Sequence, residues 1–222
     1  MIDPLSSFNW NGLYKSYDAK CNQSGRFNNT ISALNTFSPK PNSDRSLYYK
    51  ILPIIQQERK SGTLMSLPTY EAIIYWKMYS TCGDKINRDI HNKDWVIPKL
   101  MSGLRQFNGF APRIKQNNDN VLSLVSQILR LHLYGMRLPV CTTVLHFLYP
   151  DVIPIFDKMV LMAVGYTAQQ IKIGDLNQDQ QLYGQYVEHV WSLIKKYGNQ
   201  IYAKRFRESP VRIIDMALWI TR

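Results

Sequence analysis

Apolar residues in this 222-residue chain recur at helical spacing in one segment after another, and no stretch alternates regularly between apolar and polar residues. A half-buried strand needs that alternation, because its side chains change face at every residue, so the pattern predicts an all-helical fold without a large sheet. The clearest segment opens at Asp119, a suitable cap, and places Val121, Leu122, Val125, Ile128, Leu129 and Leu133 on one broad face. Upstream, Leu47, Ile51, Ile54 and Ile55 follow Asp44, another N-cap type, until Ser61-Gly62 breaks the pattern. Pro53 should kink or interrupt this helix, since proline lacks an N–H and crowds the preceding turn. A second helix is expected to open between Ser66 and Thr69 and end before Gly83, and a third to run from Trp95 to Phe107 with Pro98 tolerated only in its first turn. Near the C-terminus, Gln178 to Tyr197 reads as a long helix with Lys195 and Lys196 in its last turn and Gly198 as its stop. Pro210 to Trp219 reads as the final helix.

Residues 1–43 offer little regular pattern, with Pro39 and Pro41 blocking a helix, and are expected to form an irregular arm. Phe8, Trp10, Tyr14 and Tyr17 would pack this arm onto a helical domain spanning 44–222, with lining a pocket as the alternative. The length suits one domain or two intimately packed lobes. Three widely spaced cysteines, Cys21, Cys82 and Cys141, form no CxxC pair, which argues against a zinc ribbon or an iron–sulfur loop and for free thiols in a reducing cytoplasm. No metal or organic cofactor is expected. The opening MIDPLSSFNW has no secretory pattern, and nowhere do about eighteen apolar residues run together. A soluble, cytoplasmic, monomeric protein without a membrane partner is therefore expected. The net charge of +11 favours a polyanion, foremost nucleic acid, through counterion release. The same charge is also found on proteins that bind no polyanion, so charge alone leaves the two cases even.

Leu138 to Gly165 carries the most chemistry. Pro139 suits the first turn of a helix, Tyr149-Pro150 ends it, and a proline-containing connection leads to Asp157 and a second apolar helix closed by Gly165. Asp157 thus falls at a helix start, where the local positive potential favours its ionised form. A plain N-cap accepting from the Val160 N–H is the competing role. His146 lies inside the apolar helix and is expected to be a packed core residue rather than a ligand or base.

This order of helix (119–133), short turn (Tyr134-Gly135-Met136-Arg137-Leu138), helix, proline-containing connection, aspartate and helix resembles the helix–hairpin–helix DNA glycosylase superfamily. LHFLYPDVIPIFDKMVLMAVG, with Tyr75-Trp76-Lys77 before it and Ile214 to Trp219 after it, is similar to bacterial proteins with the 8-oxoguanine DNA glycosylase fold. The resemblance touches roughly residues 70 to 219. It implies a two-lobed helical bundle, a hairpin within 134–139 that grips the DNA backbone, and Asp157 as the catalytic carboxylate. Gly135 would supply the turn, and the N–H groups of Leu138, Val140 and Cys141, with Arg137 and Lys158 beside them, would face a phosphate. Trp76 and Lys77 would border the pocket for the flipped base, with a plain core role as the alternative for Trp76. Lys195, Lys196, Lys204, Arg205 and Arg207 could follow the backbone on the second lobe, or serve only as solubility charge.

The chain departs from the family pattern in two places. The turn reads GMRLPV rather than LPGVG, and the lysine that bifunctional members carry early in the second hairpin helix is missing from Pro139 to Thr143. The resemblance therefore implies excision of a damaged or modified base from double-stranded DNA without an efficient Schiff-base lyase step. Oxidised guanine is suggested by the family's name, and a bulky modified pyrimidine of foreign DNA is equally compatible, so repair and defence both stay open. The rival expectation is a non-enzymatic DNA-binding module that keeps the hairpin and lacks catalysis. A small two-metal nuclease is disfavoured, because clustered carboxylates are absent from the sequence.

Overall fold

The computed structural model describes residues 1–23, 35–63, 65–78, 93–106, 118–133 and 135–221. Among these residues there are helices and no strand, as the periodicity predicts. In chain order they are α1 (Leu13–Gln23), α2 (Asp44–Lys60), α3 (Leu67–Met78), α4 (Lys93–Gln106), α5 (Asn118–Arg130), α6 (Leu138–Leu148), α7 (Lys158–Ala163), α8 (Leu176–Ala203) and α9 (Pro210–Thr221).

Helix α6 is central, because a helix that is apolar all round can be satisfied only inside a core. Every residue of it except Pro139 is buried. It packs against α2, α3 and α5, while α8 lies on α5 and α9, and α7 and α1 rest on α9. The two threonines that interrupt its apolar sequence donate back to their own helix, Thr142 Oγ1 to Leu138 O at 2.9 Å and Thr143 Oγ1 to Pro139 O at 2.7 Å. Neither buried hydroxyl is left unpaired.

Four local expectations are corrected. The N-terminal arm is not irregular throughout: a 3₁₀ turn at Trp10–Gly12 leads into α1. Leu13, Tyr17 and Cys21 share one face at four-residue spacing and are all buried, a stripe easily missed among the polar residues between them. Pro53 does not interrupt α2, since it occupies the exposed face while Leu47, Tyr48, Ile51 and Ile55 bury the other. The cap of α2 is Ser43, which exchanges side-chain bonds with Ser46, and Asp44 is the first helical residue and is buried. Asp119 likewise lies within the first turn of α5 rather than before it.

Gly198 does not stop α8 either. The helix continues to Ala203 and closes at Lys204, followed by Arg205 at φ 51°. An internal glycine costs about 1 kcal/mol, and burial of a side chain such as Ile201 in the added turn returns about 1.5–3 kcal/mol. Lys195 and Lys196 therefore sit well before the helix end.

Candidate functional site

Beyond α5 the chain reverses through His132 (φ 47°) and Gly135 (φ 73°), both in the left-handed region that a tight turn requires. Met136 N–H donates to Leu133 O and Arg137 N–H to Gly135 O, each at 3.0 Å. Arg137 is the N-cap of α6, with Pro139 in the first turn. Gly135 and Arg137 are exposed at this corner. Leu138 and Val140 bury their side chains but carry first-turn N–H groups, which a helix cannot satisfy from within. Cys141 does not join them: its N–H donates to Arg137 O at 2.9 Å, one residue too far into the helix to face a ligand. Its thiol is buried beside Val125 O at 3.9 Å, and burial pushes its pKa up strongly.

A groove of about 330 Å³ runs from this corner to the start of α8, lined by Leu133, Gly135, Met136, Arg137, Gly174 and Asp179. Its two ends differ in charge. Asp175 caps α8, and Asp179 accepts from Gly174 N–H at 3.2 Å, so the α8 end repels a phosphate while the Arg137 end attracts one.

The connection from α6 to α7 is held from three sides. His146 Nδ1–H donates to Ile153 O at 2.7 Å, Tyr183 O–H donates to Pro154 O at 2.8 Å, and Phe156 N–H donates to Thr142 Oγ1 at 3.0 Å. With Nδ1 carrying the proton, His146 Nε2 accepts from Tyr48 O–H at 3.0 Å. Burial pulls the His146 pKa down to about 3, so the ring is neutral and structural, as its place in an apolar helix predicts.

These bonds deliver Asp157 to the N-cap of α7, the position read from the sequence. The cap bond goes to Met159 N–H at 2.8 Å rather than to Val160. The other carboxylate oxygen receives Lys77, whose Nζ lies 3.2 Å from Asp157 Oδ2 and 3.4 Å from Phe156 O. Both side chains reach solvent, Asp157 at 30% relative exposure and Lys77 at 13%. Lys158 is exposed next to them.

Trp76 is packed into the core of the described residues. It is buried, its indole N–H donates to Asp44 O at 3.3 Å, and its ring packs against Tyr48 and Phe147. Over it, at 4.8 Å, lies the guanidinium of Arg212, which also stands over Tyr17 at 5.2 Å and Tyr48 at 5.3 Å. Arg212 pairs with Asp44 at 3.4 Å and with Asp215, and it donates to Tyr17 O–H at 2.7 Å. Asp215 links this interior to the surface pair. Burial raises its pKa to about 6 against the pull of Arg212 and Lys77, and Asp157 adds to the rise. The signal for these residues was an arginine and an aspartate three apart in an otherwise apolar helix, where a charge needs a buried partner.

Of the basic residues near the C-terminus, Lys195, Lys204, Arg205 and Arg207 are exposed, and Lys196 pairs with Asp3 at 2.6 Å. Arg207 lies over the Tyr49 ring at 4.1 Å. Among the described residues no group of three or more His, Cys, Asp or Glu side chains is placed to hold a metal ion, and no helix is long and apolar enough to cross a membrane. Cys82 lies outside the described residues, as does Tyr134 of the hairpin. No protein-family model, curated protein or solved structure matches this chain.

Proposed function

We propose that this protein is a DNA glycosylase of the helix–hairpin–helix type, which turns a damaged or modified base out of duplex DNA and breaks its N-glycosidic bond with Asp157 as the catalytic carboxylate. One observation carries the proposal. The Phe156 N–H bond to Thr142 ties Asp157 to the second turn of the helix that the hairpin opens, so a partly exposed carboxylate stands at a fixed place relative to an exposed glycine–arginine corner. Cleavage of the glycosidic bond leaves positive charge on the deoxyribose, and a carboxylate there stabilises that charge and orients water. Lys77 fixes the Asp157 rotamer, and Arg137 with the Leu138 and Val140 N–H groups would take a neighbouring phosphate. The +11 charge supplies the long-range attraction.

The test is a panel of duplexes, each bearing a different damaged or modified base, scored for abasic-site formation. Asp157→Asn should lower excision by about 100-fold or more on whichever duplex the wild type cleaves. Equal rates for the two proteins would remove Asp157 from the chemistry.

One observation favours a rival. Both Asp157 oxygens already have partners, Met159 N–H and Lys77, which is also what a purely structural cap requires. A non-enzymatic DNA-binding module would show salt-sensitive duplex binding and no abasic product from any member of the panel.

A further inference from the structure

We propose that Asp3 is a positioning residue for Asp157, acting through a strap of residues 2–5 that holds the far end of α7. The proposal rests on the glycosylase reading only for what the placed carboxylate does. Helix α7 has six residues and is capped by Asp157, so a displacement of its far end reaches that carboxylate through about 9 Å of helix. A helix this short does not hold itself, because too few internal bonds offset its nucleation. Its start is fixed by the Met159 N–H bond to Asp157 and the Phe156 N–H bond to Thr142. Its end needs separate support, since the last carbonyls of a helix have no donor within it.

Residues 2 and 3 supply that support. Ile2 N–H donates to the carbonyl of Val164, the C-cap of α7, at 3.0 Å. The Ile2 side chain lies on the open face of Gly165 (φ 101°), where an added Cβ would stand 3.4 Å from it. Asp3 then ties the strap to α8. Its Oδ2 accepts from Lys196 Nζ at 2.6 Å and from Tyr197 O–H at 2.7 Å, and its Oδ1 accepts from Leu5 N–H at 2.9 Å. Burial pushes the Asp3 carboxyl up, but the bonds from Lys196, Tyr197 and Leu5 outweigh it and hold the carboxyl below its usual value. Leu5 is fully buried, which anchors the other end of the strap in the core. Past Gly165, Tyr166 O–H donates to Gln185 Oε1 at 2.7 Å, but that bond is neutral and exposed, whereas the Asp3 bond to Lys196 is charge-assisted.

The experiment uses the full chain with Asp3→Ala, which removes all three bonds, and Tyr197→Phe, which removes one and keeps the ring. Native-state hydrogen exchange reads the helix, and the carbon NMR signal of the Asp157 side-chain carboxyl reads the site; neither needs a substrate. Exchange at the Leu161 and Val164 amides, which close α7, should be about tenfold or more faster in Asp3→Ala, the factor expected for losing a charge-assisted bond. Tyr197→Phe should show a smaller rise, and amides of α6 should be unchanged in both. The Asp157 signal should move in both variants. On a duplex that the wild type cleaves, Asp3→Ala should lower kcat at unchanged duplex Kd and add no further loss to Asp157→Asn. If Asp3→Ala does not fold, Tyr197→Phe decides by the same readouts. Unchanged exchange in α7, a rise shared equally by α6, or a stationary Asp157 signal overturns the proposal. The two readings fail separately: a moved Asp157 signal with no base released across the panel removes glycosylase activity alone, whereas base release with a stationary signal removes the Asp3 role alone.

Discussion

Replacing Asp215 with asparagine removes a buried carboxyl whose titration couples stability to pH. Asp215 is buried on α9 against Arg212, and its pKa is raised from 3.8 to about 6 by burial, opposed by Arg212 and Lys77 and assisted by Asp157. A carboxyl with a raised native pKa binds its proton more tightly in the folded state. Its contribution is fully present below the unfolded value of 3.8 and is lost as pH rises through about 6. The separation is about 2 units, and at 1.36 kcal/mol per unit this amounts to about 3 kcal/mol. Asparagine can still accept from Arg212 but does not titrate. Urea denaturation of both proteins at several values from pH 4 to pH 7 should therefore show wild-type stability falling by about 2 kcal/mol relative to Asp215→Asn across that interval, the remainder of the span lying below pH 4. His146 slopes the other way: its pKa is lowered from 6.5 to about 3, so its contribution is present above 6.5 and lost as pH falls toward 3. Being common to both proteins, it cancels in the difference. A difference that stays flat within about 0.5 kcal/mol, a typical additivity error, would refute the burial-raised pKa of Asp215.

Three further outcomes follow from the same contacts. His146→Leu leaves Ile153 O and Tyr48 O–H without their present partner, so unfolding at pH 7 should cost about 2–4 kcal/mol less than in wild type; a change below about 1 kcal/mol would mean that the connection to Asp157 does not depend on this ring. Arg212→Met removes the guanidinium that pairs with both Asp44 and Asp215 in the core, with an expected loss of about 3–5 kcal/mol in denaturant titration; near-neutral stability would show that these ion pairs do not hold α9 to α2. Arg137→Ala should weaken duplex binding and lower the slope of log affinity against log salt by about 1. An unchanged slope would place the hairpin corner away from DNA phosphate.

Local pattern made much of this legible in advance. The helices with wide apolar faces, α5 and α6 above all, were set by spacing and by proline and glycine punctuation, and the position of Asp157 at the start of α7 followed from the same rules. The errors fell where local rules compete with packing. Gly198 is a stop signal by propensity, but buried Tyr197 and Ile201 carry α8 through it. Leu13, Tyr17 and Cys21 form too sparse a stripe to stand out until α9 and α2 are known to cover them. For Trp76 the sequence left core and pocket open, because its enclosure by Tyr48, Phe147 and Arg212 involves residues from three other helices.

The sequence by itself determined that the chain folds into helices, that it is strongly basic, and that one aspartate follows a proline-containing connection at a helix start. Those properties are set by neighbours within a turn or two, or by a sum over the chain. Only the tertiary structure decided that Lys77 meets Asp157 across 80 residues and that Arg212 meets Asp44 across 168. Ion pairs of that span leave no periodic trace, because each partner satisfies its local helix equally well with or without the other, and the pairing energy exists only once α2, α3, α7 and α9 are packed.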